Sequence, residues 1–157
     1  MRPEAALAVM LVLAGALAGP VAAKDKQPRP AAVMSEGGRA NVVLSQSYLQ
    51  QGDLKTAEER ARSALSTDGD SALPHAAMAM VLAARNEDDK AKKEFERALA
   101  IAPGDGGVLN SYGAWLCARG DRAGADQAFR SALQDPLAEQ FQPLVNAGQC
   151  ATLGKDW

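Results

Sequence analysis

The chain has 157 residues, which is enough for one domain, and its net charge of −2 leaves no basic excess of the kind that nucleic-acid-binding domains carry. Aromatic residues make up only 4% of the chain, and alanine supplies much of the hydrophobic fraction, so the composition favours packed helices over a β-sheet. Two cysteines, Cys117 and Cys150, are too few for a disulfide-built miniprotein or a four-cysteine zinc site.

The first 23 residues have the pattern of a secretory signal peptide. Arg2 precedes an uncharged apolar run over residues 5–18, which a Gly-Pro pair ends, and small residues follow at 21–23. The run is shorter than the roughly 20 residues of a membrane-spanning helix. We therefore predict cleavage after Ala23 and an exported protein in the periplasm, either free or associated with the outer membrane. An uncleaved N-terminal anchor is the alternative.

The next segment, residues 24–37, is polar at its start and contains two prolines, so we predict a linker. A period of 34 residues begins at Gly38. Columns of turn residues, alanines and small residues recur at this spacing, and two phenylalanines share a further column. The columns are Gly52/Asn86/Gly120, Ala57/Ala91/Ala125, Ala64/Ala98/Ala132, Ser45/Ala79/Gly113 and Phe95/Phe129.

These columns resemble the tetratricopeptide repeat (TPR), whose unit is a pair of helices. We predict an all-α TPR superhelix with units at 38–71, 72–105 and 106–139 and a partial fourth unit at 140–157. Because no second helix follows in the fourth unit, we expect a piece of a longer array, the alternative being a terminal capping helix. The expected helices are 38–51, 54–67, 72–85, 88–101, 106–119, 122–134 and 139–153.

The turn and small-residue columns have physical explanations within this register. A small residue where two helices cross lets their backbones approach. Glycine, and after it asparagine, accepts the positive φ that often ends a helix. An aspartate follows each of these turns, where its carboxylate can accept hydrogen bonds from the free N–H groups of the second helix. These aspartates are Asp53, Asp88 and Asp121.

Candidate catalytic and metal-binding residues have simpler structural explanations. His75 is the only histidine and has no carboxylates beside it in the sequence, so we expect a structural role. The Asp68-Gly69-Asp70 motif lacks the carboxylate that a calcium loop needs at its twelfth position, and we interpret it as a turn between repeats. We predict no enzyme activity, cofactor, metal site or small-molecule substrate. Three i,i+4 pairs predict surface ion pairs: Glu58–Arg62, Asp88–Lys92 and Asp89–Lys93.

The first helices of TPR units line a concave groove, and in this sequence the groove positions are small, apolar and nearly uncharged. Such a groove suits an apolar helix or an extended peptide of a protein partner. The alternative is that these residues only pack against neighbouring helices. The residues that we assign to the partner-binding groove are Val42, Gln46, Leu49, Met80, Ala83, Ala84, Asn110 and Ala114.

The two cysteines are predicted to form a disulfide. If Gly113 and Gly148 occupy equivalent positions, Cys117 and Cys150 lie on roughly opposite sides of their own helices and face each other between adjacent first helices. The predicted export places them in an oxidising compartment. A register that instead aligns Gly154 with Gly120 would turn Cys150 by one position, and two buried free thiols remain the alternative.

The third unit and the segment after it carry a more particular resemblance. They read NSYGAWLCARGDRAGADQAFRSALQDP and then VNAGQCATLG. The Tyr-Gly pair, the aromatic residue, Leu-Cys, the closing Asp-Pro and Asn-Ala-Gly-x-Cys resemble the PilF/PilW family of type IV pilus biogenesis proteins. The matching residues are Tyr112, Gly113, Trp115, Leu116, Cys117, Asp135, Pro136, Asn146, Ala147, Gly148 and Cys150.

The resemblance implies a pilotin or pilus-stability protein that helps an outer-membrane secretin to reach the membrane and assemble. Such proteins usually carry about six repeat units and a lipid-accepting cysteine. This sequence has three and a half units, and its first cysteine is Cys117, so the resemblance does not extend to a lipid anchor. A periplasmic TPR adaptor or chaperone for another envelope assembly is the alternative function.

Overall fold

The structure, a computed structural model, describes residues 34–136 and 146–150. The predicted signal peptide, most of the predicted linker and most of the predicted seventh helix lie outside these residues. Within them the chain is helical, as predicted, and a further helical segment spans 146–150. The six full helices are α1 (Glu36–Gln50), α2 (Leu54–Asp68), α3 (Ala72–Ala84), α4 (Asp88–Ile101), α5 (Gly106–Ala118) and α6 (Arg122–Ala132).

The helices form three hairpins, α1/α2, α3/α4 and α5/α6, which we call the first, second and third units. The first helices also pack side by side, α1 against α3 and α3 against α5. Each second helix buries its alanine columns completely, as at Ala57, Ala91 and Ala125. None of the described helices has both the length and the apolar character needed to cross a membrane.

The turns inside the units follow the predicted backbone rule. Gly52, Asn86 and Gly120 have φ values of 78°, 61° and 83°, so each ends its first helix in the left-handed region. After two of these turns an aspartate caps the second helix: the carboxylate of Asp53 accepts from the backbone N–H of Thr56 at 3.0 Å, and that of Asp121 accepts from Gly124 at 2.9 Å. The sequence prediction of these two caps is confirmed.

The predicted cap at Asp88 is wrong. Glu87 takes the N-cap position of α4, and Asp88 is already the first residue of the helix. Its carboxylate faces the next unit, where it pairs with Arg119 and lies 3.4 Å from the indole nitrogen of Trp115. The hydrogen bond from Arg119 lowers the pKa of Asp88, and the Trp115 contact adds to that effect. Because Asp88 is engaged in this contact between units, the predicted Asp88–Lys92 pair is replaced by a Lys92–Glu96 contact at 3.9 Å.

The start of α1 also differs from the prediction, since residues 34–37 belong to the folded domain and not to a linker. Ser35 caps the helix, accepting from the backbone N–H of Gly38 at 3.0 Å, and Met34 is buried in the core. Asp68, at the end of α2, accepts hydrogen bonds from both the N–H and the hydroxyl of Ser35. At Gly38 a Cβ atom would collide with this carboxylate, which explains the glycine in the first turn.

Between α5 and α6 the backbones approach closely over an aromatic ring. A Cβ atom on Gly113 would lie 2.6 Å from Cε1 of Phe129, so only glycine fits there without movement. In the second unit Phe95 is fully buried and packs against Tyr112 and Trp115 of α5, with ring centroids 5.4 Å away in both cases. The aromatic rings therefore bind the second unit to the third.

Candidate functional site: the groove of the first helices

The predicted groove residues fall into three classes of exposure. Gln46 and Ala84 are exposed, and five others are half-buried. Val42 is only 5% exposed and belongs to the core between α1, α2 and α3. Its assignment to the groove is wrong, because the side chain points toward the neighbouring helices and a bound partner would not reach it. The half-buried residues are Leu49, Met80, Ala83, Asn110 and Ala114.

The half-buried apolar residues also support the core beneath them. Leu49 packs against the core of the first unit, Met80 and Ala83 pack against the Phe95 cluster, and Ala114 packs beside Phe129. The alternative that these side chains pack against neighbouring helices is thus partly correct. Each of them leaves part of its surface open. Met80, Ala83 and the exposed Ala84 on α3, with Ala114 on α5, form an apolar, uncharged set of side chains that we call the strip.

The end of this strip contains a small pocket of about 140 Å³. Ala114 and Ala118 of α5 form one wall, Phe129 of α6 forms the base, and the segment 146–150 closes the other side. Asn146 of that segment donates from Nδ2 to Oδ1 of Asn110 at 2.8 Å, across 36 positions of sequence. The prediction placed Asn110 in the groove but did not identify this partner.

Cys117 and Cys150 are joined by a disulfide beside this pocket, with Cα atoms 5.7 Å apart. Cys117 continues the Asn110–Ala114 face of α5, and Cys150 is the last described residue of the 146–150 segment. The bond attaches the helical segment 146–150 to α5 of the third unit.

His75 has a partner that the sequence analysis missed. Its Nδ1 lies 2.7 Å from a carboxylate oxygen of Glu94, and its Nε2 lies 2.9 Å from the carbonyl oxygen of Gly69. The carbonyl can only accept, so Nε2 carries a proton, and the ring links the α2–α3 turn to α4. One feature of the sequence could have indicated this contact: His75 and Glu94 are 19 residues apart, which places one of them on each helix of the second unit. Arg97 also pairs with Glu94, at 2.6 Å.

A second, larger cleft of about 540 Å³ lies between the second helices α2 and α4. Its charged walls are bridged by ion pairs: Glu58 contacts both Arg62 and Arg85, which confirms the predicted Glu58–Arg62 pair. The hydrogen bonds from Arg62 lower the pKa of Glu58, and the nearby Arg85 charge adds to the shift. Because these side chains are paired with one another, the cleft offers no unbalanced charge to a ligand.

In the Asp68-Gly69-Asp70 motif, the carboxylate of Asp68 accepts hydrogen bonds from the backbone N–H and the hydroxyl of Ser35. Among residues 34–136 and 146–150, no cluster of three or more histidine, cysteine or acidic side chains could hold a metal ion.

Comparisons with known proteins identify the repeat and its relatives. A tetratricopeptide-repeat family profile matches residues 48–112. Over 147 residues the chain is 34% identical to the type IV pilus assembly protein PilF of Pseudomonas aeruginosa, an alignment that covers 90% of this chain and 57% of that protein. It is 33% identical over 111 residues to an uncharacterized protein of Haemophilus influenzae, covering 68% of this chain and 62% of that one.

Solved structures give the same result. The structure of Pseudomonas aeruginosa PilF matches with a TM-score of 0.62 at 34% identity, over 75% of this chain and 54% of that one. PilW, described as a widely conserved type IV pilus biogenesis factor, matches with a TM-score of 0.61 at 26% identity, over 76% and 55%. The chain therefore spans somewhat more than half the length of these relatives. The TPR fold and the family resemblance predicted from the sequence are confirmed.

Proposed function

We propose that this chain, as a PilF/PilW-like tetratricopeptide-repeat protein, takes part in type IV pilus biogenesis by binding a protein partner in the cell envelope. The partner that we propose is an outer-membrane secretin, which the protein would help to reach the membrane or to form multimers. We further propose that residues 1–23 direct the chain to the periplasm and are removed there. A pilotin role follows from these proposals.

The observation that carries the binding proposal is the apolar strip on the first helices. Met80, Ala83 and Ala114 each keep part of their surface open, and all three side chains are apolar and uncharged. Contiguous exposed apolar surface commonly marks a site that binds a protein partner or a ligand. The second helices, in contrast, carry paired charges on their outer faces, which suits contact with water.

The experiment that tests the proposal places a charge in the strip. Ala84→Glu and Ala114→Arg should abolish recovery of the secretin in a pulldown from envelope extract, because binding would bury an unpaired charge against the partner. Met80→Glu should do the same. Because Met80 packs against the Phe95 cluster and Ala114 against the Phe129 cluster, Met80→Glu and Ala114→Arg will also lower the melting temperature, whereas Ala84→Glu, at an exposed position, should not. Lys93→Glu, an exposed change on α4, is the matched control and should leave recovery unchanged.

Two results would overturn the proposal in different ways. Recovery of secretin by both Ala84→Glu and Ala114→Arg at the wild-type level would show that the strip is not the binding surface. Failure of the unmodified protein to recover secretin, together with normal secretin multimers and pili after gene deletion, would leave a generic envelope adaptor or chaperone as the function. N-terminal sequencing tests the location separately, with Lys24 expected as the first residue of the periplasmic form.

A further inference from the structure

We propose that the outer face of α1 binds a second copy of this chain, so that two α1 helices pack antiparallel across a two-fold axis and form a symmetric dimer. We call this surface the end face, and its residues are Gly37, Ala40, Val43, Leu44 and Ser47. None of these residues belongs to the strip, so a second copy and the proposed partner would use different surfaces.

The end face is apolar and open to solvent. Val43 is 62% exposed and Leu44 is 40% exposed, and they are the exposed large hydrophobic side chains in the described part of the chain. The three smaller residues beside them are also exposed, and no residue of the end face carries a charge. A terminal unit of a repeat array usually has a polar outer face that keeps it soluble. The first described unit instead presents an apolar face, and such a face commonly marks a binding site.

In the second unit the positions equivalent to the end face are packed against the preceding helices. Adding the period of 34 to each position of the end face leads to five buried residues, which are Ser71, Pro74, Ala77, Met78 and Val81. Ala77, Met78 and Val81 lie in one core cluster with Val42 and the buried alanines of α2. In the third unit Val108 and Trp115 are buried in the same way against the second unit. The end face therefore stands where a first helix packs against other helices, and in α1 it is open.

The order of side-chain sizes along the end face favours a second copy as the occupant. With a two-fold axis level with position 42, Leu44 of each copy lies against Ala40 of the other. Gly37 then meets Ser47, and the two Val43 side chains lie beside each other near the axis. A parallel pair would oppose Leu44 to Leu44 and Gly37 to Gly37, which leaves a gap between the small residues. Because the end face is uncharged, the antiparallel pair brings no like charges of that face together.

The predicted linker directly precedes α1 and is the competing occupant of the end face. Its Pro28 and Pro30 are unfavourable inside a helix, because proline lacks a backbone N–H group. The equivalent positions of α3 pack against helices, and a second α1 supplies a helix of matching shape. If the linker covered the end face, the protein would stay monomeric, so a measurement of the oligomeric state separates the two occupants.

Sedimentation velocity on the chain as isolated from expressing cells, with its disulfide intact, measures the dimer. One helix face covers less than the roughly 800 Å² per partner of a standard interface, so we expect dissociation on dilution. The protein should be dimeric at about 300 μM and monomeric at about 1 μM. Val43→Glu should raise the concentration for half-dimerisation about tenfold or more, because two unpaired carboxylates would meet at the axis.

Matched variants show whether Val43 meets its own copy. Ala100→Glu adds the same side chain at an exposed position of α4 and should leave dimerisation unchanged. An equal mixture of Val43→Glu and Val43→Lys should dimerise more tightly than either variant alone, since opposite charges then meet at the axis. Because both positions are exposed, all of these variants should keep the wild-type melting temperature.

Cysteine cross-linking tests the antiparallel register. Along the helices the two copies of residue 43 lie about 3 Å apart and the two copies of Ser47 about 15 Å apart, from the helical rise on either side of the axis. The native cysteines are joined to each other, so an introduced thiol reacts alone. Under mild oxidation Val43→Cys should form a covalent dimer, and Ser47→Cys should not.

Three outcomes would overturn the dimer. The first is a monomer at the highest concentration, which is the result expected if the linker or another protein covers the end face. The second is wild-type dimerisation of Val43→Glu, and the third is a Val43→Cys chain that cross-links no better than Ser47→Cys. The secretin pulldown does not depend on any of these measurements, so the proposed function and the dimer can fail separately.

Discussion

The first and third units build the same helix crossing with different residues. In the first unit Ser45 donates its hydroxyl hydrogen to the carbonyl of Ala57 at 2.9 Å. Ala61, also fully buried, stands where the later units have phenylalanine. In the third unit Gly113 has no side chain, and the ring of Phe129 occupies the space. The crossing therefore accepts either two small side chains or a ring packed against a glycine, and the ring fits in the third unit because Gly113 has no Cβ atom.

The largest expected effect comes from removing the ring that distinguishes the third unit. Phe129→Ala should destabilise the protein by about 3–5 kcal/mol, because a large buried side chain is replaced by a cavity. In chemical denaturation the double variant Phe129→Ala with Gly113→Ala should recover part of this loss, since the new methyl group enters the vacated space. A double variant at least as unstable as the sum of the single changes would contradict the steric coupling of Gly113 and Phe129.

Removing the disulfide should give the next largest loss of stability. The disulfide also distinguishes the third unit from the first, where no cross-link is present among the described residues. Replacing Cys117 and Cys150 with alanine should cost about 3–4 kcal/mol in the chain-entropy description of a loop of this length. Thiol labelling of the denatured, unreduced protein should find no free thiol. Two labelled thiols per chain would show that the bond does not form in the protein as isolated.

A smaller loss of stability is expected from adding one methyl group where α5 crosses α6. Gly113→Ala should destabilise by about 1–3 kcal/mol, because the new Cβ would overlap the ring of Phe129. Gly37→Ala in α1 is the matched control, since no atom lies within 4 Å of its added Cβ. The control should be unchanged or up to about 1 kcal/mol more stable, from the helix preference of alanine alone. Equal effects of the two changes in thermal denaturation would remove the steric explanation.

The smallest effect is expected from the hydrogen bonds between Ser35 and Asp68, which join the start of the first unit to its end. The hydrogen bond from the Ser35 hydroxyl, followed by that from the Ser35 backbone N–H, lowers the pKa of Asp68. A carboxyl whose pKa is lowered on folding stabilises the folded state above its ordinary pKa, and this contribution is lost as the pH falls through the lowered value. The melting-temperature advantage of wild type over Asp68→Asn should therefore be present at pH 6 and shrink below about pH 4. A pH-independent difference would show that the charge of Asp68 contributes nothing.

The repeat register and most helix boundaries could be predicted because they depend on local chemistry. Gly52, Asn86 and Gly120 end helices through their own backbone preferences, and Asp53 and Asp121 cap helices within three residues of themselves. Such rules need no knowledge of the neighbouring units. The observed starts and ends of α2 to α6 accordingly lie within two residues of their predicted positions.

The errors all involve contacts between distant residues. Asp88 is used by Arg119 of the next unit, and Val42 is buried because Met34 and the α3 helix cover it. The carboxylate of Asp135 reaches back 29 positions to accept from the backbone N–H of Gly106 at 2.8 Å, much as Asp68 reaches Ser35. These pairs are separated by almost a full unit, so no pattern of adjacent residues reveals them.

The candidate site also combines features that follow from local chemistry with a contact between distant residues. The groove positions followed from the repeat register, and seven of the eight residues keep some exposed surface. The Asn110–Asn146 contact did not, because it depends on how the 146–150 segment packs against α5. The Cys117–Cys150 bond joins the same two segments, and the sequence could suggest it only from an assumed register.

The Cys117–Cys150 bond gives the molecule a covalent connection that bypasses the backbone between the two cysteines. A pulling force applied to the chain on the two outer sides of Cys117 and Cys150 passes directly between their sulfur atoms. The intervening segment, which includes α6, then bears no tension. Under load the first and second units and most of α5 carry the tension, and α6 loses its packing only when α5 unfolds.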